Sequence, residues 1–196
     1  MRKLLATMAV LAIPAMGIPS AAHAEPHEYE IDPDHAAIGF LVGHVGYAKV
    51  LGMFLESSGS FTFDEETLTL SDVEITVETD SVFTNHKKRD QHLRSPDFLN
   101  SREFPEMVFT MTKAEKVSDT TGKVYGELEL IGLKQPLVLD VTFNKAGEYP
   151  FNDNYAVGIS ARGSFKRSDF GMMYGVDNGW VGDEVELIIE FEAVRQ

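Results

Sequence analysis

The chain contains no cysteine among its 196 residues. This absence excludes disulfide bonds, thiolate catalysis and lipid attachment through a cysteine side chain. The sequence also lacks the Gly-x-Ser-x-Gly elbow of many serine hydrolases. We therefore expect a protein without enzymatic activity. A Ser–His–Asp arrangement assembled in space around His44 or His92 stays open, although no motif supports it.

Basic residues are scarce relative to acidic ones. The chain has 17 Lys and Arg against 31 Asp and Glu, with a formal net charge of −14. Nucleic acids and anionic membrane surfaces select basic patches, so neither is expected as a main partner. The negative charge instead favours solubility.

Long apolar runs are absent beyond the first residues. Arg2 and Lys3 precede the uncharged stretch 4–18, and Ala22-His23-Ala24 provides the small residues of a cleavage site. The stretch is short for a membrane span and contains Pro14. We therefore expect a cleavable signal peptide at residues 1–24, export from the cytoplasm and one domain at residues 25–196. The alternative is an N-terminal anchor helix.

Helical periodicity is nearly absent, and strict alternation of apolar and polar residues replaces it. Six segments show the alternation: 73–78, 107–112, 124–130, 137–143, 157–165 and 185–192. Period-two patterns indicate strands with one buried face, and about eight of them imply an all-β sandwich or barrel. A barrel is favoured because closure removes exposed edges.

Two segments interrupt the alternation. Residues 86–94 are predicted to form a short helix that Pro96 stops, and Asp97 could cap a further turn. A second short non-strand segment is predicted at residues 44–49. Such pieces often cover one end of a barrel, although both could be surface connections.

Aromatic and methionine side chains are plentiful, with 13 Phe, 8 Met, 6 Tyr and one Trp. Several of them cluster after the predicted helix and in the glycine-rich segment 170–180. Such clusters can either fill a barrel with side chains or line a cavity that holds one ligand. Composition leaves both alternatives open.

An ordered set of short motifs resembles the YceI-like family of exported lipid-binding proteins. The resemblance runs from Tyr29 to the C-terminus. No single motif is specific, but their order and spacing are. The motifs are Asp32–His35, Ile38–Phe40, His44, Gly52–Phe54, Gly59–Phe61, Phe63–Asp64, Ser81–Thr84, Arg89–Leu93, Pro96–Phe98, Phe104–Pro105, Phe109, Gly126–Leu128, Gly132–Pro136 and Arg167–Met172.

The resemblance implies a lipocalin-like, extended eight-stranded antiparallel β-barrel with a short helix near one end. It also implies an internal apolar tunnel for a polyisoprenoid, an isoprenoid quinone or a related lipid. Such a ligand would be carried, stored or sensed in the periplasm. Glu129, Leu99–Asn100 and Tyr174–Gly175 depart from the family pattern and put the identity of the ligand in doubt more than the fold.

We expect apolar side chains to form the tunnel wall and polar ones to meet the head of the ligand. The head region is predicted at His44, Arg89, Asp90 and His92. The predicted wall comprises Phe40, Val42, Phe54, Phe83, Phe98, Leu99, Phe104, Phe109, Leu128, Phe165, Phe170, Met172 and Trp180.

Two further alternatives remain at this point. His27, His35, His44, His86 and His92 are spaced unlike a strong zinc motif, so no metal or cofactor is expected beyond the lipid. The chain could instead be an interaction module that meets a basic partner. Arg89, Asp90, His92 and Arg94 would then form a docking surface, although their expected role is an ion-pair and hydrogen-bond network that ties the helix to the barrel. A homodimer also stays open.

Overall fold

A computed structural model describes residues 25–196, which lie outside the predicted signal peptide. The chain forms ten strands and one α-helix in these residues. The strands are β1 (His27–His44), β2 (Ala48–Phe54), β3 (Ser57–Asp64), β4 (Thr69–Glu78), β5 (Val82–Phe83), β6 (Glu106–Lys116), β7 (Thr121–Leu130), β8 (Leu133–Glu148), β9 (Tyr155–Lys166) and β10 (Val181–Arg195). The helix is α1 (Lys87–Leu93), and 3-10 turns occupy Thr79–Ser81 and Arg167–Phe170.

The sheet closes on itself as an eight-stranded antiparallel barrel. The strands follow the order β10-β9-β8-β7-β6-β4-β3-β1, and β10 pairs with β1 to complete the circuit. β2 continues the position of β3, because β1 pairs with β3 through residues 27–30 and with β2 through residues 38–44. This architecture confirms the predicted fold class.

Alternation along each strand determines which face is buried. In β7, Val124, Leu128 and Leu130 are buried, while Glu127 is exposed. Each apolar residue removed from water stabilises the barrel, and the alternating acidic residues keep the outer face hydrated.

The short helix lies where the sequence predicts it. His86 caps α1, and its Nδ1 accepts a hydrogen bond from the Arg89 backbone N–H at 3.2 Å. No helix in residues 25–196 is both long and apolar enough to cross a membrane.

The non-strand segment predicted at residues 44–49 is wrong in extent. β1 runs through His44 and β2 starts at Ala48, so only a tight hairpin turn separates them. Val45 and Gly46 have φ values of 50° and 73°, and positive φ at successive turn residues matches the twist of hairpin strands.

The two ends of the barrel differ. Strand registers place the β1 N-terminus beside the last residues of β10 and β3, and we call this the Tyr29 end. The opposite end carries α1, the hairpin turn after β1 and the segment 167–180, and we call it the α1 end.

Candidate functional site

The barrel encloses a cavity of about 200 Å³. Protein interiors rarely contain voids larger than a water molecule, so this space is not a packing defect of ordinary size. Among the lining residues within 25–196, only Ser57 and Arg167 have polar side chains. An apolar space of this kind suits an apolar ligand.

Most of the predicted wall lies at the cavity. Phe40 and Phe54 face each other there with ring centroids 5.6 Å apart. The predicted positions that line the cavity are Phe40, Val42, Phe54, Phe98, Leu99, Phe109, Leu128, Phe165 and Met172.

The structure revises the predicted wall at four positions that do not line the cavity. Phe83 and Trp180 are 41% and 58% exposed. Phe170 is buried, but it packs edge-on against Phe165, with ring centroids 5.4 Å apart. Phe104 packs over the turn at Gly132. Aromatic character alone does not reveal which way a loop residue points.

Sequence reasoning missed many aliphatic wall residues. The inward row of every barrel strand reaches the cavity, and Leu93 of α1 contributes as well. The alternation along the strands indicated that these aliphatic residues face inward, but the predicted wall included mainly aromatic residues. Examples of the missed residues are Ile38, Val73, Val77, Leu139, Ala161 and Ile189.

The predicted head-group residues lie away from the cavity wall. His44 is exposed at the end of β1. Asp90 is buried and accepts a hydrogen bond from the Thr84 backbone N–H at 2.8 Å, while Arg89 donates through Nε to Thr84 Oγ1 at 2.7 Å. His92 Nε2 lies 2.8 Å from Asp97 Oδ2. Arg89 and Asp90 thus fasten α1 to the segment before it.

An aromatic cluster covers the cavity at the α1 end. The Phe98 ring lies 5.0 Å from the His92 ring and 5.2 Å from the Tyr174 ring, measured between centroids. His92 and Tyr174 meet edge to face at 4.8 Å. Phe98 lines the cavity and Tyr174 is 43% exposed, so the cluster extends from the cavity to the protein surface.

Arg167 is the charged residue of the cavity wall, and the predicted site did not include it. The side chain is 3% exposed and donates to the carbonyl oxygens of Gly182, Met172, Tyr174 and Val181 at 2.8–3.2 Å. Burial lowers the pKa of the guanidinium, and the charge of Asp183 acts in the opposite direction. In the sequence, only its position just before the aromatic, glycine-rich segment 170–180 pointed to Arg167 as a site residue.

The Tyr29 end is packed with aromatic side chains. Tyr29 stacks on Phe61 with ring centroids 5.5 Å apart, and both residues are buried. The hydroxyls of Tyr29 and Tyr155 donate to the Glu65 carboxylate at 2.7 and 2.8 Å. Burial, reinforced by Glu65, raises the pKa of Tyr29. Neutral, hydrogen-bonded phenols therefore pack at this end, beside a second cavity of about 90 Å³ that shares Phe61 and Val124 with the first.

One group of side chains has the composition of a metal site. Asp32, His35 and Glu192 bring their ligand atoms within 4.8 Å of one another on the outside of the barrel. His35 Nδ1 lies 2.7 Å from Asp32 Oδ2 and 4.0 Å from Glu192 Oε2. The shorter distance is that of a hydrogen bond, so the imidazole and carboxylate of this pair satisfy each other.

The chain is similar to known proteins in both sequence and fold. The YceI-like domain model matches residues 29–193. A UPF0312 protein of Pectobacterium carotovorum is 40% identical over 90% of this chain and 91% of its own. The crystal structure of the Campylobacter jejuni YceI protein is 30% identical, covering 79% of this chain and 90% of its own with a TM-score of 0.72.

A polyisoprenoid-binding domain from Saccharophagus degradans shares the fold. Its TM-score is 0.65 at 10% identity, over 88% of this chain and 100% of its own. The matches to the domain model and to the Pectobacterium relative cover most of the chain. The chain belongs to the YceI-like family.

Proposed function

We propose that this protein binds a long-chain isoprenoid or related amphiphilic lipid in the barrel cavity. It would carry, store or sense that lipid in the periplasm, and its role is binding and not catalysis. The observation that carries the proposal is the almost wholly apolar cavity inside the barrel. The domain from Saccharophagus degradans is described as polyisoprenoid-binding, which supports the same ligand class.

Burial of the ligand tail would supply most of the affinity. Each methylene removed from water contributes about 0.8 kcal/mol, so a tail of about twenty carbons gains on the order of 16 kcal/mol before costs. Loss of ligand freedom and ordering of side chains oppose this gain by several kcal/mol or more. The tail alone therefore selects by length and shape, and selection among head groups needs polar residues.

Filling the cavity tests the proposal. Ala161 is buried and lines the cavity, so Ala161→Phe places a phenyl group in the ligand space. The control Val138→Phe adds the same ring at an exposed position of β8. We expect Ala161→Phe to weaken binding of tritiated geranylgeraniol at least about tenfold, the effect of about 1.4 kcal/mol.

In the same equilibrium titration, Val138→Phe should bind the alcohol as the unmodified protein does. Thermal melting would verify that both variants are folded. Equal binding by a folded Ala161→Phe variant would show that the ligand lies elsewhere.

A further inference from the structure

Within residues 25–196, the cavity wall holds one charged group, Arg167, and no carboxylate forms a salt bridge with it. Arg167 is buried, and no Asp or Glu oxygen within residues 25–196 lies within 4.0 Å of its guanidinium. The nearby Asp183 carboxylate is occupied by the Ser168 backbone N–H and hydroxyl, both at 2.9 Å. Arginine stays protonated in proteins, so a positive charge faces an apolar space.

The hydrogen bonds of Arg167 leave one donor over. A guanidinium has five N–H groups. Nε donates to Gly182, Nη1 to Met172, and Nη2 to both Tyr174 and Val181. One N–H of Nη1 therefore has no carbonyl acceptor. The four carbonyl dipoles hold the side chain in place without neutralising its charge.

The surroundings make an anion at this point favourable. A buried charge that lacks a salt-bridge partner is costly; the charge of Asp183 offsets part of this cost, and a negative ligand group would offset more of it. The Phe98 ring covers the guanidinium, with Cζ 5.6 Å from the ring centroid. Phe98 also contacts His92 and the half-exposed Tyr174, so the charged group sits just inside the aromatic cluster at the α1 end.

We propose that Arg167 binds the anionic oxygen of an acid-headed lipid, a carboxylate or a phosphate, through its remaining Nη1–H. The head group then lies at the α1 end, and the tail extends toward the Tyr29 end. This inference rests on the proposed lipid-binding function and adds the head-group charge, the residue that recognises it and the direction of the ligand.

Three ligands with the same tail test the inference: hexadecanoic acid, hexadecyl phosphate and hexadecanol. At pH 7 the purified protein should bind at least one of the two acids about tenfold or more tightly than the alcohol. The acid that gains the larger preference identifies the head group. Arg167→Met should abolish the preference and keep the binding of hexadecanol.

Arg162→Met is the matched control, because Arg162 is exposed on the outer face of β9 and pairs with Glu190. That variant should keep the preference for the acid. Equal affinity of the unmodified protein for all three ligands would overturn the role of Arg167 and leave lipid binding intact. Failure of all three to bind would instead count against the proposed function.

A measurement on the unmodified protein keeps the test decisive if Arg167→Met does not fold. The ¹³C resonance of carboxyl-labelled hexadecanoic acid reports the pKa of the bound carboxyl group. An apolar cavity alone raises that pKa, whereas a neighbouring guanidinium lowers it. If hexadecanoic acid is the preferred acid, we expect its bound pKa to lie below that of a free carboxylic acid, and a raised pKa would refute the contact; if hexadecyl phosphate is preferred, the ³¹P resonance gives the same test for the phosphate pKa.

Discussion

Two inward-facing glycines allow aromatic rings of the wall to lie across neighbouring strands. A Cβ at Gly52 would stand 2.2 Å from the Phe40 ring, and one at Gly126 would stand 2.5 Å from the Phe109 ring. Both phenylalanines line the cavity. The glycines thus determine where these rings can lie, and with them the shape of the wall.

Gly126→Ala should destabilise the barrel. The added methyl group would also stand 2.5 Å from the Thr110 carbonyl oxygen, which belongs to the backbone and cannot rotate away. Overpacking of this kind costs about 1–3 kcal/mol in the free energy of unfolding. Urea denaturation measures the loss.

Gly158→Ala is the control for that substitution. A Cβ at Gly158 in β9 has its nearest neighbour at 3.8 Å, an ordinary contact. We expect its unfolding free energy to stay within the variation typical of surface substitutions. Comparable losses for the two variants would contradict the steric explanation.

The Asp32–His35 hydrogen bond makes a pH-dependent contribution at one surface position. It raises the pKa of His35 from 6.5 and lowers that of Asp32 from 3.8. The His35 contribution is present below pH 6.5 and lost as pH rises through the folded-state pKa. The Asp32 contribution is present above pH 3.8 and lost as pH falls through its folded-state pKa.

His35→Gln should therefore lower Tm at pH 5.5 and have less effect at pH 8.5, as read by differential scanning calorimetry. The effect should be small because the pair is exposed and screened by solvent. His44→Gln replaces another exposed histidine and should show no such difference between the two pH values. A larger decrease in Tm at pH 8.5 than at pH 5.5 would contradict the stabilising role of this ion pair.

Side-chain direction was the part of the site that the sequence could not provide at the residue scale. Alternation orients residues such as Phe109 and Leu128 because each belongs to a regular strand. Phe83 and Trp180 lie in a two-residue strand and a loop, where no periodicity applies. Arg167 escaped prediction because its partners are carbonyls brought together only by folding.

At the scale of elements, α1 is held by a network around one threonine. Thr84 is buried, its hydroxyl donates to Asp90, and the same oxygen accepts from Arg89 Nε. The hydroxyl therefore mediates between two charged groups of the helix. This arrangement agrees with the expected role of residues 89–94 in tying the helix to the barrel.

Thr84→Val should loosen the helix. The substitution keeps the shape but leaves the buried Asp90 carboxylate short of a donor, which costs about 1–3 kcal/mol. Hydrogen exchange should accelerate in α1 more than in the barrel strands. Thr110→Val, at an exposed position of β6, serves as the control and should change neither stability nor exchange in α1.

Unchanged exchange in a folded Thr84→Val variant would show that other contacts hold α1. The helix itself was predictable from the sequence because its capping residue and the proline that follows are local signals. The hairpin turn at Val45–Gly46 was harder to predict, because a left-handed backbone conformation is unusual for valine.

On the scale of the whole molecule, pairing of β1 with β10 closes the eight-stranded sheet around the cavity. The β1–β10 pairing joins residues from the two ends of the described chain, such as Ile38 and Ile189. Alternation predicts which face of each strand is apolar, but it does not reveal the distance between inward-facing side chains on opposite sides of the barrel. The existence of the barrel was therefore predictable from the residues, whereas the open cavity required the three-dimensional structure.

The central claim is that the barrel interior holds a lipid. Native mass spectrometry of the purified, untagged protein tests it most directly. We predict a species heavier than the chain by the mass of one lipid, released by organic extraction and reduced in Ala161→Phe but not in Val138→Phe. Repeated preparations that show the mass of the chain alone, and that neither contain nor take up an added isoprenoid, would contradict the account.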